Sequence, residues 1–214
     1  MSRRLPVYLL IDSSGSMRGE PIHAVNVGIS AMLAALRQDP YALESVHLSL
    51  ITFDSQVKEL LPLTPLEFAQ VEDIVLPRSG ATHLGEAISF LVEKVRSDVI
   101  QSSETVKGDF RPLLFIMTDG SPSDLFVYKH AIPELKKCQF GGIIACAAGP
   151  KANVDSLKEL TSTVVVLENM ESSAFSEFFK WVSDSIAAGS QSAGIDTSVT
   201  NTLPPPPPEF QIIL

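Results

Sequence analysis

Seven apolar residues, Leu5–Ile11, run without a break into Asp12-Ser13-Ser14-Gly15-Ser16. A strand that is apolar on both faces must be covered on both faces, and in a chain of this size that means the interior of a parallel sheet. Similar strand signals recur at Val46–Phe53, Arg111–Thr118, Gly141–Ala147 and Thr163–Leu167, the last being β-branched and suited to an edge or near-edge position. Helical stripes fall between them. From Gly19 to Arg37 the apolar face is Ile22, Val25, Ile29, Met32, Leu33 and Leu36, with Pro21 tolerated in the first turn. Leu84, Ala87, Ile88, Leu91 and Val95 mark a second helix, Asn153–Leu160 a short one, and Phe175, Phe178, Phe179, Val182 and Ile186 the last.

Three stretches are less regular. Gln56–Leu60 reads as a hairpin arm folding back across Asp54-Ser55, after which Pro62 and Pro65 break the chain before a short helix near Leu66–Val71. Leu76–Thr82 reads as a loop. Pro133 removes a backbone donor inside Leu125–Lys137, which predicts a kink or two short helices there. The strand–helix alternation predicts a Rossmann-like, three-layer α/β/α open sheet, mostly parallel with one antiparallel edge strand. It places one domain over residues 1–187. Beyond it the composition turns small and polar and then reaches five consecutive prolines, Pro204–Pro208. Residues 188–214 are expected to be a flexible proline-rich tail, or else to end in a short strand that augments this sheet or a partner's.

Right-handed crossovers gather the ends of parallel strands on one rim. Asp12 and Asp119 each directly follow a strand, so they can meet there despite their separation in sequence. Ser79-Gly80-Ala81-Thr82 supplies a third loop. Asp12, Ser14, Ser16, Thr82 and Asp119 offer only oxygen, the preference of a hard dication: Mg²⁺, with Mn²⁺ or Ca²⁺ as alternatives. Two carboxylates balance the ion's charge, three hydroxyls leave it electrophilic, and an open vertex could take a partner's Asp or Glu. Gly15 allows a close backbone turn. Ser13, Gly15, Met17, His83, Gly120 and Ser121 form the expected partner-binding rim, shaped also by Phe53, Asp54 and Ser55. Thr82 or His83 could cap the following helix, with Glu86 near its third position. His23 is expected on a partly exposed helix face, and Trp181 in helix packing.

The first metal motif resembles that of the von Willebrand factor type A domain family, as do Gly80-Ala81-Thr82 and Thr118-Asp119-Gly120, and the resemblance spans about residues 5–187. It implies a metal-ion-dependent adhesion site with Asp12, Ser14, Ser16, Thr82 and Asp119 as ligands. Within that family, Pro6–Ile22 and Arg78–Gly85 are similar to the tellurium-resistance branch. That likeness implies a bacterial tellurite or stress-response setting with kinase or phosphatase partners. The zinc-binding cysteine extension of some relatives is not found in this sequence.

Composition restricts the other classes. A formal charge of −9, from 16 basic and 25 acidic residues, disfavours nucleic acid as a partner. Asp12 ends the first apolar run too early for a signal peptide or a membrane span, and Cys138 and Cys146 read as small core residues in a reducing compartment, so a cytoplasmic location is expected. No catalytic residue is assigned. A Mg²⁺-dependent phosphoester hydrolase is the main alternative, although a dehalogenase-type phosphatase needs an acid where Ser14 stands. A scaffold with a vestigial ion site is the other.

Overall fold

The computed structural model describes residues 3–76, 80–105, 107–192, 204–207 and 210–213. Among the described residues seven strands form one sheet in the order β3-β2-β1-β4-β5-β6-β7. Five are parallel: β1 (Leu5–Asp12), β2 (Val46–Phe53), β4 (Leu113–Thr118), β5 (Gly142–Ala148) and β6 (Thr163–Leu167). The expected antiparallel arm is β3 (Val57–Pro65), hydrogen-bonded to β2. β7 (Gln211–Ile213) adds a second antiparallel edge beyond β6.

Alternation along β1 divides the core. Leu5, Val7, Leu9 and Ile11 face one layer, with α1 (Glu20–Leu36), α2 (Pro40–Ser45) and α6 (Ser172–Ser192). Tyr8 and Leu10 face the other, with α3 (Leu84–Asp98), α4 (Leu125–Lys137) and α5 (Val154–Leu160). All eight residues of β1 are buried, as expected of a strand clothed on both sides. From β1 the chain crosses to β2 on one side and later reaches β4 on the other, so the order reverses between β1 and β4. The carboxyl ends flanking such a reversal open a crevice where open α/β sheets bind ligands.

Several local expectations need correction. Pro62 and Pro65 do not break the chain before a helix; both lie in β3, an outer strand with one neighbour. Its register against β2 shifts around Leu48 and Leu50, and an edge with a bulge is where a residue without an N–H does least harm. Leu66–Val71 is not helical but a turn, held by Leu66 N–H to Val46 O (2.9 Å) and Phe68 N–H to Pro65 O (2.9 Å). Leu125–Lys137 is one helix with Pro133 inside it. Pro133 and Lys129, whose carbonyl loses its usual donor, are both exposed, so water can replace the missing bond. Helix α6 runs to Ser192, five residues past the expected boundary at 187. Of the segment expected as a tail, residues 193–203, 208, 209 and 214 lie outside the described part.

Candidate metal centre

The crevice between β1 and β4 gathers the residues at their ends. Asp12 is fully buried. Its Oδ1 accepts the Ser14 N–H at 2.8 Å, which folds the loop back over the strand end. Its Oδ2 accepts the Thr118 hydroxyl at 2.6 Å, tying β1 to β4. Ser14 Oγ lies 3.1 Å from Ser16 Oγ, and Ser16 donates to Asp119 Oδ1 at 2.8 Å. Adjacent ligands of an octahedral Mg²⁺ bonded at 2.0–2.1 Å stand about 2.9 Å apart. The separations between these three side chains therefore suit neighbouring vertices around one ion.

Thr82 comes from the third loop. A Cβ built on Gly120 would lie 3.3 Å from Thr82 Oγ1, which places that hydroxyl beside the Asp119 loop. Two further bonds hold the loops together: Ser123 N–H and Ser123 Oγ both donate to Thr82 O, at 2.9 and 3.0 Å. All five expected oxygen donors thus lie on neighbouring loops at one end of the sheet. Ser79, named with Thr82 in the sequence, lies outside the described residues. Among the described residues no three His, Cys, Asp or Glu side chains gather as a metal cluster; this group is two carboxylates and hydroxyls.

Burial sets the electrostatics. Desolvation lifts the Asp12 carboxyl to about 6, against the lowering effect of hydrogen bonds from Thr118 and Ser14, and the Asp119 charge adds to the rise. Asp119 is also raised, again chiefly by desolvation, while the Ser16 hydrogen bond and the Lys151 charge pull it down. Two buried carboxylates facing one pocket of oxygen atoms are stabilised as anions by a cation between them. The donor chemistry fits a hard dication. Asp12, with both oxygens already accepting from the protein, would act from behind Ser14 and Ser16, either through a water or by charge alone.

The residues expected at the rim differ in exposure. Gly15, His83, Gly120 and Ser121 reach the surface to some degree, as does the candidate ligand Ser16. Met17 does not: it is fully buried, because the 3-10 turn Gly15–Met17 rotates it into the α1–α6 layer. Ser13 is buried too, and its hydroxyl points away from the crevice to Asp54 Oδ2 at 3.3 Å. It faces a cleft of about 290 Å³ shared with Lys58, Glu72 and Asp73. Gly15 has no left-handed backbone; that conformation falls at Gly19, with φ 90°.

Two supporting carboxylates carry more than the sequence suggested. Asp54 was expected only to shape the rim. Its Oδ1 accepts from Ser55 Oγ and Gln56 N–H at 2.9 and 3.0 Å, and its backbone carbonyl accepts the His83 N–H at 2.9 Å. Asp124 went unnoticed. It caps α3 from another loop, Oδ1 accepting from Gly85 N–H at 3.1 Å and Oδ2 from Glu86 N–H at 2.8 Å. His83 occupies the cap position but makes no capping bond with its side chain, and neither expected cap residue does that work. A cap supplied 39 positions away leaves no local motif to read.

The sequence profile of the von Willebrand factor type A domain matches residues 7–181. The chain belongs to that family. Proteins of this fold often mediate protein–protein contacts, some through a metal-ion-dependent adhesion site, and their domains are generally non-catalytic. Solved structures agree on the fold. Proximal thread matrix protein 1 from the mussel byssus is 18% identical with a TM-score of 0.66, over 86% of this chain and 48% of that one. A second structure of it, described as having a zinc-occupied MIDAS motif, gives 17% and 0.65, over the same shares of the two chains. The ArnB paralog VWA2 from Sulfolobus acidocaldarius gives 16% and 0.57, over 88% of this chain and 45% of that one. The chain thus spans about half the length of these structures. No curated protein matches it. Among the described residues no helix is long and apolar enough to cross a membrane.

Proposed function

We propose that this domain is a metal-ion-dependent protein-interaction module, in which Mg²⁺ (or Mn²⁺ or Ca²⁺) is held by Ser14, Ser16 and Thr82 with Asp12 and Asp119 behind or beside them. An Asp or Glu side chain of a protein partner completes the ion's shell. The observation that carries this reading is the run of oxygens Ser14 Oγ, Ser16 Oγ and Asp119 Oδ1 at 3.1 and 2.8 Å, beside the buried Asp12. The zinc described in the MIDAS motif of the mussel protein supports it by likeness of fold. Neutral hydroxyls among the ligands keep the ion electrophilic toward an incoming carboxylate, so metal and partner bind cooperatively.

A hydrolase reading fits less well. Both Asp12 oxygens already accept hydrogen bonds, from Ser14 N–H and the Thr118 hydroxyl, which blunts the carboxylate as a nucleophile. The setting we infer is a TerY-type role in bacterial tellurite resistance or stress response, with a kinase or phosphatase as partner. The sequence likeness of Pro6–Ile22 and Arg78–Gly85 supports it. A cytoplasmic site of action is supported by two free thiols, Cys146 being buried within β5.

Titration calorimetry with Mg²⁺ tests the site, and capture from cell extract in Mg²⁺ or EDTA, read by mass spectrometry, tests the interaction. Asp119→Ala and Asp12→Ala are expected to weaken Mg²⁺ binding about tenfold or more and to lose the Mg²⁺-dependent partners. Partners retained equally in EDTA and by both variants would reduce the domain to a scaffold with a vestigial site. Metal-dependent phosphoester turnover by the pure protein would favour the hydrolase.

A further inference from the structure

The described part of the C-terminal segment is seated on the domain at three points. Trp181 on α6 donates its indole N–H to Pro204 O at 3.0 Å. Phe210 is buried, its ring 6.5 Å from that of Phe178, which in turn lies 6.3 Å from Trp181. Gln211–Ile213 then pairs antiparallel with Val164–Val166 of β6. A proline-rich stretch hydrogen-bonded to a tryptophan indole, followed by strand addition to a sheet edge, joins two general modes of peptide recognition. The seat is built from α6 and β6, and eleven residues of sequence, 193–203, separate the segment from the end of α6.

We propose that the α6–β6 groove is a receiving site for an extended segment of the type proline run, aromatic residue, β-strand. One molecule fills it with its own residues 204–207 and 210–213, and the same segment of a second copy fills it once that occupant lifts away. Three strand residues and one aromatic anchor make a weak hold by themselves, so opening does not require the core to unfold. An eleven-residue connection spans at most about 40 Å, enough to deliver the segment to its own groove or to a neighbour's. Tethering gives the resident copy an effective concentration on the order of millimolar, which keeps the groove closed in dilute solution. The strand addition lies beyond β6, with β5 and β6 between it and the β1–β4 crevice, and none of the five candidate metal ligands belongs to the groove, so the proposal does not depend on metal binding.

Trp181 is the only tryptophan, so its emission reports this groove alone. In full-length Phe210→Asp the emission is expected to shift to the red. A synthetic peptide of residues 203–214 should reverse the shift saturably; the same peptide carrying F210D should not. The unmodified chain should ignore the peptide at concentrations that saturate the variant. A variant whose emission does not move, or moves but is not restored by peptide, overturns the proposal. If circular dichroism shows Phe210→Asp unfolded, hydrogen exchange on the unmodified chain decides. Amides of β6 and residues 210–213 should then exchange together and faster than those of β4. Exchange of both groups at the β4 rate overturns it.

Discussion

Asp12 is fully buried, and what it costs depends on pH. Its folded-state carboxyl titrates near 6 against 3.8 for an ordinary Asp. The folded protein therefore holds that proton more tightly than the unfolded chain, and metal-free stability falls as pH rises from about 4 through about 6. The loss from this group is on the order of 3 kcal/mol. Asp119 shifts in the same direction. Urea unfolding in EDTA between pH 4 and 7 should show this decline, and Asp12→Asn should flatten it and leave the metal-free protein more stable at pH 7. Unchanged pH dependence in Asp12→Asn would contradict the assignment. Protons compete with the cation for the same oxygens, so Mg²⁺ affinity should also fall below about pH 6. That the five candidate donors gather at one end of the sheet was legible in sequence because each is a hydroxyl or carboxylate within a short motif at a strand end or a helix start. Met17 and Ser13 were misjudged because neighbours in a motif need not share its direction: one turns into the core and the other toward Asp54.

At the scale of elements, the site depends on how the N-terminal ends of α3 and α4 meet. A Cβ on Gly85 would stand 2.3 Å from Tyr128 N and 2.6 Å from Tyr128 Cα, both backbone, so α3 and α4 cross too closely for any side chain there. Gly85→Ala must push the helices apart, and with them the Thr82 and Asp119 loops. A cost of about 1–3 kcal/mol in urea unfolding is expected, with weaker Mg²⁺ binding measured by calorimetry. Asp124→Ala removes the α3 cap and should cost about 1 kcal/mol, again with a loss of metal affinity. Full affinity in both variants would mean that the loops are held by something else. Strands β1, β2, β4, β5 and β6, the three long helices α1, α3 and α6, and the short α5 were readable from apolar pattern alone. The misreadings share one cause, that local chemistry was overruled by position. Pro62 and Pro65 are tolerated because β3 is an edge strand, and Pro133 because it faces solvent. Whether residues 211–213 pair with this sheet or another depends on a distant edge, which no local pattern reports.

At the scale of the whole molecule, the order reversal between β1 and β4 brings Asp12 and Asp119, 107 positions apart, to one crevice. A cation that binds only the folded chain must then stabilise all of it, by about 2.7 kcal/mol at one hundred times its dissociation constant. For a domain of this size that corresponds to a rise of roughly 5–10 °C in Tm, present in the unmodified protein and absent in Asp119→Ala. The most direct measurement is anomalous diffraction from crystals soaked in Mn²⁺. One ion bonded to the Ser14, Ser16 and Thr82 hydroxyls, with Asp119 in direct or water-bridged contact and Asp12 behind them, water-bridged or acting by charge alone, is the result predicted. Saturating Mn²⁺ with no peak in the β1–β4 crevice, while Ser16 still donates to Asp119, would contradict it.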